Sequence, residues 1–567
     1  MLTESSVVSA CIDQDIMTSH LVDDVRRRAR REGKSLLSLL SISLRLPVSS
    51  FYRAYAAEHQ LTFITGKQIQ VDGKLLRKLP RSMVERCLIF PLMGNTSDDD
   101  SLEVVTGDAE NQISMQQIER LLGVPVRWCI ADPIELALTL KKNLSGGLAA
   151  AAPAEVFEPV ATLSDIFNYA YLLRSSDIHI EPMKESIQVR LRVDGRLQDY
   201  PRDFMLEQGL GLMSRLKVLA GLDISEQRMP QDGSLSHAME DGVEVDIRVA
   251  TLPTRFGERA TLRLLGSDTN ALTLEQIGMS SADLKRFKSV ITKPFGMILI
   301  TGPTGSGKST TLYSALQVLA TDEVNVLTVE DPIEYVMDGV SQVHVSTKVS
   351  FAGALRSFLR HDPDVIMVGE IRDGETANIA MKASMTGHLV LSTLHTNTAP
   401  AAVTRLIDLG AEPYLIGATV LAVVSQRLVR RLCLRCKEGY VSSAVEQSQL
   451  GCDKPVTIYK PKGCASCMGI GYRGRVALFE TLWVDEEMSA LISQGANEMT
   501  LQASANNLFS LSADGIDKVL RGITSISELQ GLYLLPSTAS TSPIDRNHND
   551  LNHKAINHTA KHRSPEQ

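Results

Sequence analysis

Two kinds of apolar pattern run along this chain. In "SIQVRLRVDGRL" (186–197) and "VEVDIRVATL" (243–252) apolar and polar residues alternate, and each run adjoins a turn signal. Alternation predicts strands with one face buried and the other wet. Further on, "GMILITG", "EVNVLTVED", "DVIMVGEIRD" and "HLVLSTLHT" have continuous apolar cores. Such runs predict strands covered on both faces. Helix-like stretches separate them, so residues 276–535 read as an α/β layout around a mostly parallel sheet.

Residues 1–143 read as a mixed, helix-rich N-terminal domain. Its segment "LVDDVRRRARREGKSLLSLLSISLRL" begins as a charged helix and ends as an apolar one. Arg26, Arg27, Arg28, Arg30 and Arg31 read as a solvated helix face, with docking on an acidic partner as the alternative. "LSGGLAAAAPAEVFEP" (144–159) reads as a linker. A second domain follows at 160–267, then a polar connection at 268–275. Residues 536–567 are rich in Ser, Thr, Asn and His and carry too little apolar surface to fold, so they are expected to be disordered.

The chain has 567 residues, more than one core can serve. Hydrophobic residues make up 44% and charged ones 22%, as in ordinary globular proteins. Lys and Arg number 58 against 66 Asp and Glu, and the net charge of −8 argues against a surface built to grip nucleic acid. The N-terminus "MLTESSVVSACIDQDIM" has neither a basic nor an apolar leader region. The most apolar windows, such as "LIGATVLAVV" (415–424), are too short to span a bilayer. A cytoplasmic location is therefore expected, and the eight cysteines read as free thiols or metal ligands.

The stretch "GPTGSGKST" fits the phosphate-binding loop pattern: Gly302, Pro303, Thr304, Gly305, Ser306, Gly307, Lys308, Ser309 and Thr310. Glycines let backbone N–H groups wrap a phosphate, and the helix that follows adds its positive end. Lys308 can reach the β- and γ-phosphates, and the Ser309 hydroxyl can ligate Mg²⁺. ATP is the expected ligand. Hydrolysis needs a further carboxylate for the metal or the attacking water. "VIMVGEIRD" ends a strand at Glu370, and "VLTVEDPIEY" supplies Glu330, Asp331 and Glu334 at another strand end. Carboxylates at strand C-termini gather where open α/β sheets bind ligands.

These boxes, in this order, with "DPDVIMVGEIRD" as an atypical Walker B and "GHLVLSTLHTN" as a histidine box, resemble the secretion ATPase superfamily. "SSDIHIEP", "RVDGRL", "QRMPQDG", "RVATLPTRFGERATLRLL", "CLRC…CASC" and "GYRGR" extend the likeness over roughly 160–530. The pattern is similar to the type II secretion and type IV pilus assembly branch. The resemblance implies a RecA-like ATPase core, a preceding α+β (PAS-like) domain, a helical N-terminal domain and a small zinc-binding subdomain. It makes Glu334 the residue that activates water, with Glu330 as the alternative, and Glu370 a support for metal or water. His388 and His395 would contact the γ-phosphate. Arg248 and Arg263 would come from the second domain as it closes over the nucleotide, while Arg356, Arg360 and Arg372 would face the site or a subunit boundary. Arg473 and Arg475 of "GYRGR" carry a weaker signal.

Cys433-Leu-Arg-Cys436 and Cys464-Ala-Ser-Cys467 make two CxxC knuckles with 27 residues between them. Together they complete a closed tetrahedral Cys₄ site for structural Zn²⁺, within a subdomain at 430–475. Cys11, Cys87, Cys129 and Cys452 fit buried thiols. The family's retraction ATPases generally lack both the clip and the long N-terminal domain, so assembly or secretion is favoured. The expected protein is a cytoplasmic ATPase, peripheral at the inner membrane and forming a homo-oligomer of six copies. It would drive a membrane platform through docking proteins, touching membrane only through partners and binding no nucleic acid. A DNA motor with the same core, or a nucleotide-binding scaffold without turnover, is the competing expectation.

Overall fold

The computed structural model describes residues 2–93, 101–144, 157–265, 272–505 and 509–535. The predicted tail at 536–567 lies outside the described residues, as do 145–156 of the first predicted linker and 268–271 of the second.

Four helices open the chain: Glu4–Asp13, Ser19–Glu32, Leu36–Leu44 and Val48–Glu58. Thr3, Thr18 and Ser35 cap the first three, each side chain accepting a backbone N–H of the first turn. Val7, Leu40, Phe51 and Tyr55 meet in a core of their own. The arginine run occupies the wet face of Ser19–Glu32, where Arg26 pairs with Asp23 at 3.4 Å and Arg28 with Glu32 at 2.7 Å. A small sheet follows in the order Thr62–Phe63, Val126–Ile130, Leu102–Thr106, Phe90–Pro91. The sequence reading did not resolve this sheet, because its strands are only two to five residues long and show no usable periodicity.

The middle domain is an antiparallel sheet in the order Arg196–Asp199, Ser186–Val193, Ser175–Pro182, Gly257–Leu265, Glu244–Thr254, Gln231–Ala238. Helices Pro159–Leu172 and Leu206–Leu219 contribute to its core. The alternation holds: Val245, Ile247 and Val249 are buried while Glu244, Asp246 and Arg248 are exposed. Register places Arg248 directly opposite Arg263 on the neighbouring strand.

The third body is a seven-stranded sheet. Its order is Val340–His344, Val326–Glu330, Val365–Val368, Leu389–Leu394, Gly296–Thr301, Val420–Leu432, Tyr472–Trp483. All pairings are parallel except the last. Two cores flank it. Ile298 and Ile300 pack with Leu312 and Leu316 on one face, and Met297 and Leu299 with Ala380 and Val403 on the other. That double covering is why the central strands Gly296–Thr301, Val365–Val368 and Leu389–Leu394 are buried along their whole length. The parallel pairing gathers the C-termini of six strands along one edge, where the candidate site lies.

Candidate nucleotide site and metal centre

The strand Gly296–Thr301 runs into the loop 302–307, and the helix Lys308–Leu319 starts at once. Gly302 and Gly307 sit at φ 147° and 89°, in conformations that disfavour side chains. A methyl on Gly302 would stand 2.4 Å from the Gln426 carbonyl oxygen, and one on Gly307 would stand 2.7 Å from Gln426 Nε2. The loop is thus clasped from below by the strand Val420–Leu432. Lys308 Nζ donates to the carbonyls of Gly302 (2.8 Å) and Pro303 (3.1 Å), folding back over its own loop. Burial lowers its pKa, with Glu370 opposing and Arg427 adding to the shift. Ser306 Oγ is buried without a partner among the described residues. Thr304, Gly305, Ser309 and Thr310 are exposed around the loop. A concave backbone, a lysine held only by carbonyls and an orphaned hydroxyl suit a phosphate group.

The two glutamates of the acidic box divide sharply. Glu330, 3% exposed, accepts hydrogen bonds from Tyr313 OH, from Thr328 Oγ1 at 2.7 Å and from Gln342 Nε2 at 3.0 Å. Glu334 makes no side-chain hydrogen bond among the described residues, and its backbone N–H donates to Tyr313 OH at 3.2 Å. Its carboxylate reaches solvent, yet the surrounding protein strips enough water to raise its pKa. Arg263 and Arg248 oppose that rise and Glu330 reinforces it. Both middle-domain arginines therefore act on the acidic box. Arg263 is also paired with Asp177 at 3.0 Å.

Glu370 follows Gly369 at the end of the strand Val365–Val368. It accepts from Arg372, and its other oxygen lies 3.2 Å from His395 Nε2. Burial pulls its pKa up, but Arg372 and His395 outweigh burial and hold the carboxyl below its ordinary range. Arg372 also reaches Asp331 at 3.5 Å.

One expected γ-phosphate contact, His388, falls elsewhere in this chain. His388 stands at the opposite end of the strand Leu389–Leu394 from His395, its Nδ1 2.9 Å from the Ala383 carbonyl oxygen. Six strand residues separate the two rings by about 20 Å, so His388 does not meet the phosphates bound at this loop. Arg356 pairs with Glu375, and Arg360 donates to the Arg356 carbonyl at 3.0 Å. Next to them, the His361 carbonyl accepts from Asn325, just before the strand Val326–Glu330. Arg360 therefore lies towards the edge away from the loop, whereas Glu375, in the first turn of the helix Gly374–Met385 that follows the strand Val365–Val368, draws the Arg356 side chain towards the edge that carries the loop. Two residues at the loop escaped the sequence reading. Gln426 Oε1 accepts from Thr311 at 2.8 Å, and Arg427 donates to Asn397 at 2.9 Å. The polar pair inside the apolar run "LAVVSQRLV" was the available signal.

The four cysteines converge. Sγ–Sγ separations are 3.8 Å for Cys433–Cys464, 3.7 Å for Cys436–Cys467 and 3.8 Å for Cys464–Cys467. All four sulfurs lie within 4.8 Å of one another. A tetrahedral zinc with bonds of about 2.3 Å needs sulfur edges of about 3.8 Å. The donor set fits that ion. The hydrogen bond from Cys464 and the N–H groups of Cys464 and Gly471 pull the Cys467 thiol down, while burial pushes the Cys436 thiol up.

A phosphate loop, an acidic edge and a seven-stranded sheet with six strands parallel define a RecA-like P-loop ATPase. The ATPase of Legionella pneumophila named DotB superposes with a TM-score of 0.50 at 24% identity, covering 67% of this chain and 97% of that one, which supports the fold. The model of the Type II/IV secretion system protein family matches residues 154–531, and an MshEN domain matches 59–150. The chain belongs to the Type II/IV secretion system protein family and is an ATPase. It is 45% identical to the type II secretion system protein E of Pseudomonas aeruginosa, over 69% of this chain and 82% of that one. To the type IV pilus assembly ATPase PilB of Thermus thermophilus it is 38% identical, over 88% of this chain and 59% of that one. Among the described residues no helix is long and apolar enough to cross a membrane.

Proposed function

We propose that this chain is a cytoplasmic motor, peripheral at the inner membrane, that couples ATP hydrolysis to assembly of a type II secretion pseudopilus or a type IV pilus. The observation that supports this reading is the cross-strand pair Arg248 and Arg263, whose charges are felt at Glu334 of the acidic box. Like charges directly opposite on a sheet repel one another. A polyanion at the neighbouring loop turns that repulsion into attraction and closes the middle domain on its substrate.

The ATP phosphates would draw Lys308 off the Gly302 and Pro303 carbonyls. Ser309 would hold Mg²⁺, which neutralises charge on the β- and γ-phosphates. Glu334, with a free carboxylate and a raised pKa, is the base for the attacking water. Glu330, already answered by three donors, holds Tyr313, and Tyr313 holds the Glu334 backbone. Glu370 stays ionised beside Lys308, with His395 and Arg372 fixing its orientation. Arg356 and Arg360 would act at the boundary with a neighbouring copy in a ring of six. Zn²⁺ on Cys433, Cys436, Cys464 and Cys467 is structural. The membrane platform would be engaged through the domain at 1–143, ahead of the middle domain (160–267) and the ATPase domain (276–535).

Phosphate release from the purified protein, with Lys308→Ala as control, tests the reading. Turnover well above the control supports it, and equal background in both defeats it.

A further inference from the structure

The second cysteine knuckle, residues 464–469, is shared by three parts of the molecule. Its thiols face Cys433 and Cys436. Ala465, 4% exposed, is buried in the core of the N-terminal helices. Met468, at φ 55°, packs against the core of the middle domain. Just beyond, the Gly474 N–H donates to Asp194 Oδ2 of that domain at 2.8 Å. Arg435, inside the first knuckle, donates to the Gln14 carbonyl at 3.0 Å.

Arg53 completes the contact. It comes from the helix Val48–Glu58, stacks on Phe63 at 4.6 Å and lies over the knuckle. A methyl built on Gly469 would stand 2.8 Å from Arg53 Nη1. Its electrostatic partners are Cys467, Tyr169 and Cys464. No carboxylate pairs with it among the described residues. A half-buried cation without a counter-charge is unfavourable. Four thiolates on a divalent metal carry a net charge of about −2. The loaded centre therefore supplies the charge that Arg53 lacks, and the metal holds Ala465 and Met468 in the shape that fills both cores.

We propose that the metal-loaded cysteine centre is the platform on which the N-terminal helices dock, with Arg53 as the positioning residue that ties them to it. This rests on the zinc reading of the four cysteines. Metal occupancy then controls whether the N-terminal domain is fixed to the motor, which a purely local clip does not do.

Zinc is first measured in the reduced full-length protein. Hydrogen exchange is then followed in the as-purified protein, after stripping with a chelator, and after zinc is returned. Amides of Val48–Glu58 are expected to lose protection on stripping and regain it with zinc. Zinc release to a chromogenic chelator is expected to be about tenfold faster in Arg53→Ala, with Arg53→Lys closer to the wild type. The wild-type stripping arm stands even if Arg53→Ala loosens its own domain. Absence of zinc refutes the metal reading and the proposal together. If zinc is present but Val48–Glu58 exchange is indifferent to it, docking on the centre is refuted while the metal reading survives.

Discussion

Tyr313→Phe isolates the strut beneath the proposed base. The ring is 1% exposed and stacks on Tyr335 at a centroid distance of 4.2 Å, so phenylalanine keeps volume and stacking and removes only the hydroxyl. That hydroxyl donates to buried Glu330 and accepts from the Glu334 N–H at 3.2 Å. A hydrogen bond to a charged group contributes about 1.5–3 kcal/mol. Glu330 keeps two donors and the Glu334 N–H can turn to water, so the net cost is about 2–3 kcal/mol. In a domain of this size that is about 5–10 °C in melting temperature. Loosened by the loss, Glu334 would drift from the water it is proposed to activate, and turnover is expected to fall about tenfold to a hundredfold. Differential scanning calorimetry of the ATPase-domain transition and a phosphate-release assay read both numbers. A variant that melts within about 2 °C of wild type and turns over normally would refute the strut.

Glu334→Gln is expected to abolish turnover while ATP still binds, whereas Glu330→Gln should lower the melting temperature first; equal binding loss in both would undo the division of roles. A base works only when deprotonated, so the acid limb of the kcat–pH profile should lie above that of an ordinary glutamate, because the Glu334 pKa is raised. Arg248 opposes that rise, so Arg248→Ala should move the residual limb to higher pH, and an unmoved limb would separate this arginine from Glu334. Burial beside Asp132 pushes the Glu135 carboxyl up to about 7, and its Oε2 has no hydrogen-bond partner among the described residues. The folded state then holds a proton that the unfolded state releases near pH 4.5, so this group erodes stability as pH rises from about 4.5 to 7. Glu135→Gln should raise stability at pH 8 by up to about 3 kcal/mol and leave it unchanged at pH 4, as thermal melts at the two values would show.

Much of the site was legible because its chemistry is local in sequence. The glycine loop, Lys308 and the carboxylates at strand ends follow from residue type and the direction of parallel strands. Alternation likewise marked the middle sheet. What escaped depends on register and on contacts between distant segments. That Arg248 opposes Arg263 is a pairing fact that periodicity does not contain. His388 and His395 look equivalent in "GHLVLSTLHTN", yet a strand carries its two ends to opposite edges. Glu330 and Glu334 differ only once Tyr313, from another element, is seen to hold one and support the other. The small N-terminal sheet was hidden by the shortness of its strands, and the burial of Ala465 by its position inside a cysteine knuckle.

In the proposed mechanism, cleavage needs cations from the middle domain over a nucleotide held by the P-loop. Single-turnover phosphate release from protein preloaded with ATP, comparing wild type with Arg248→Ala/Arg263→Ala, tests it directly. The account predicts that the double variant binds ATP normally but cleaves it at least about a thousandfold more slowly. Cleavage of bound ATP at the wild-type rate would contradict it.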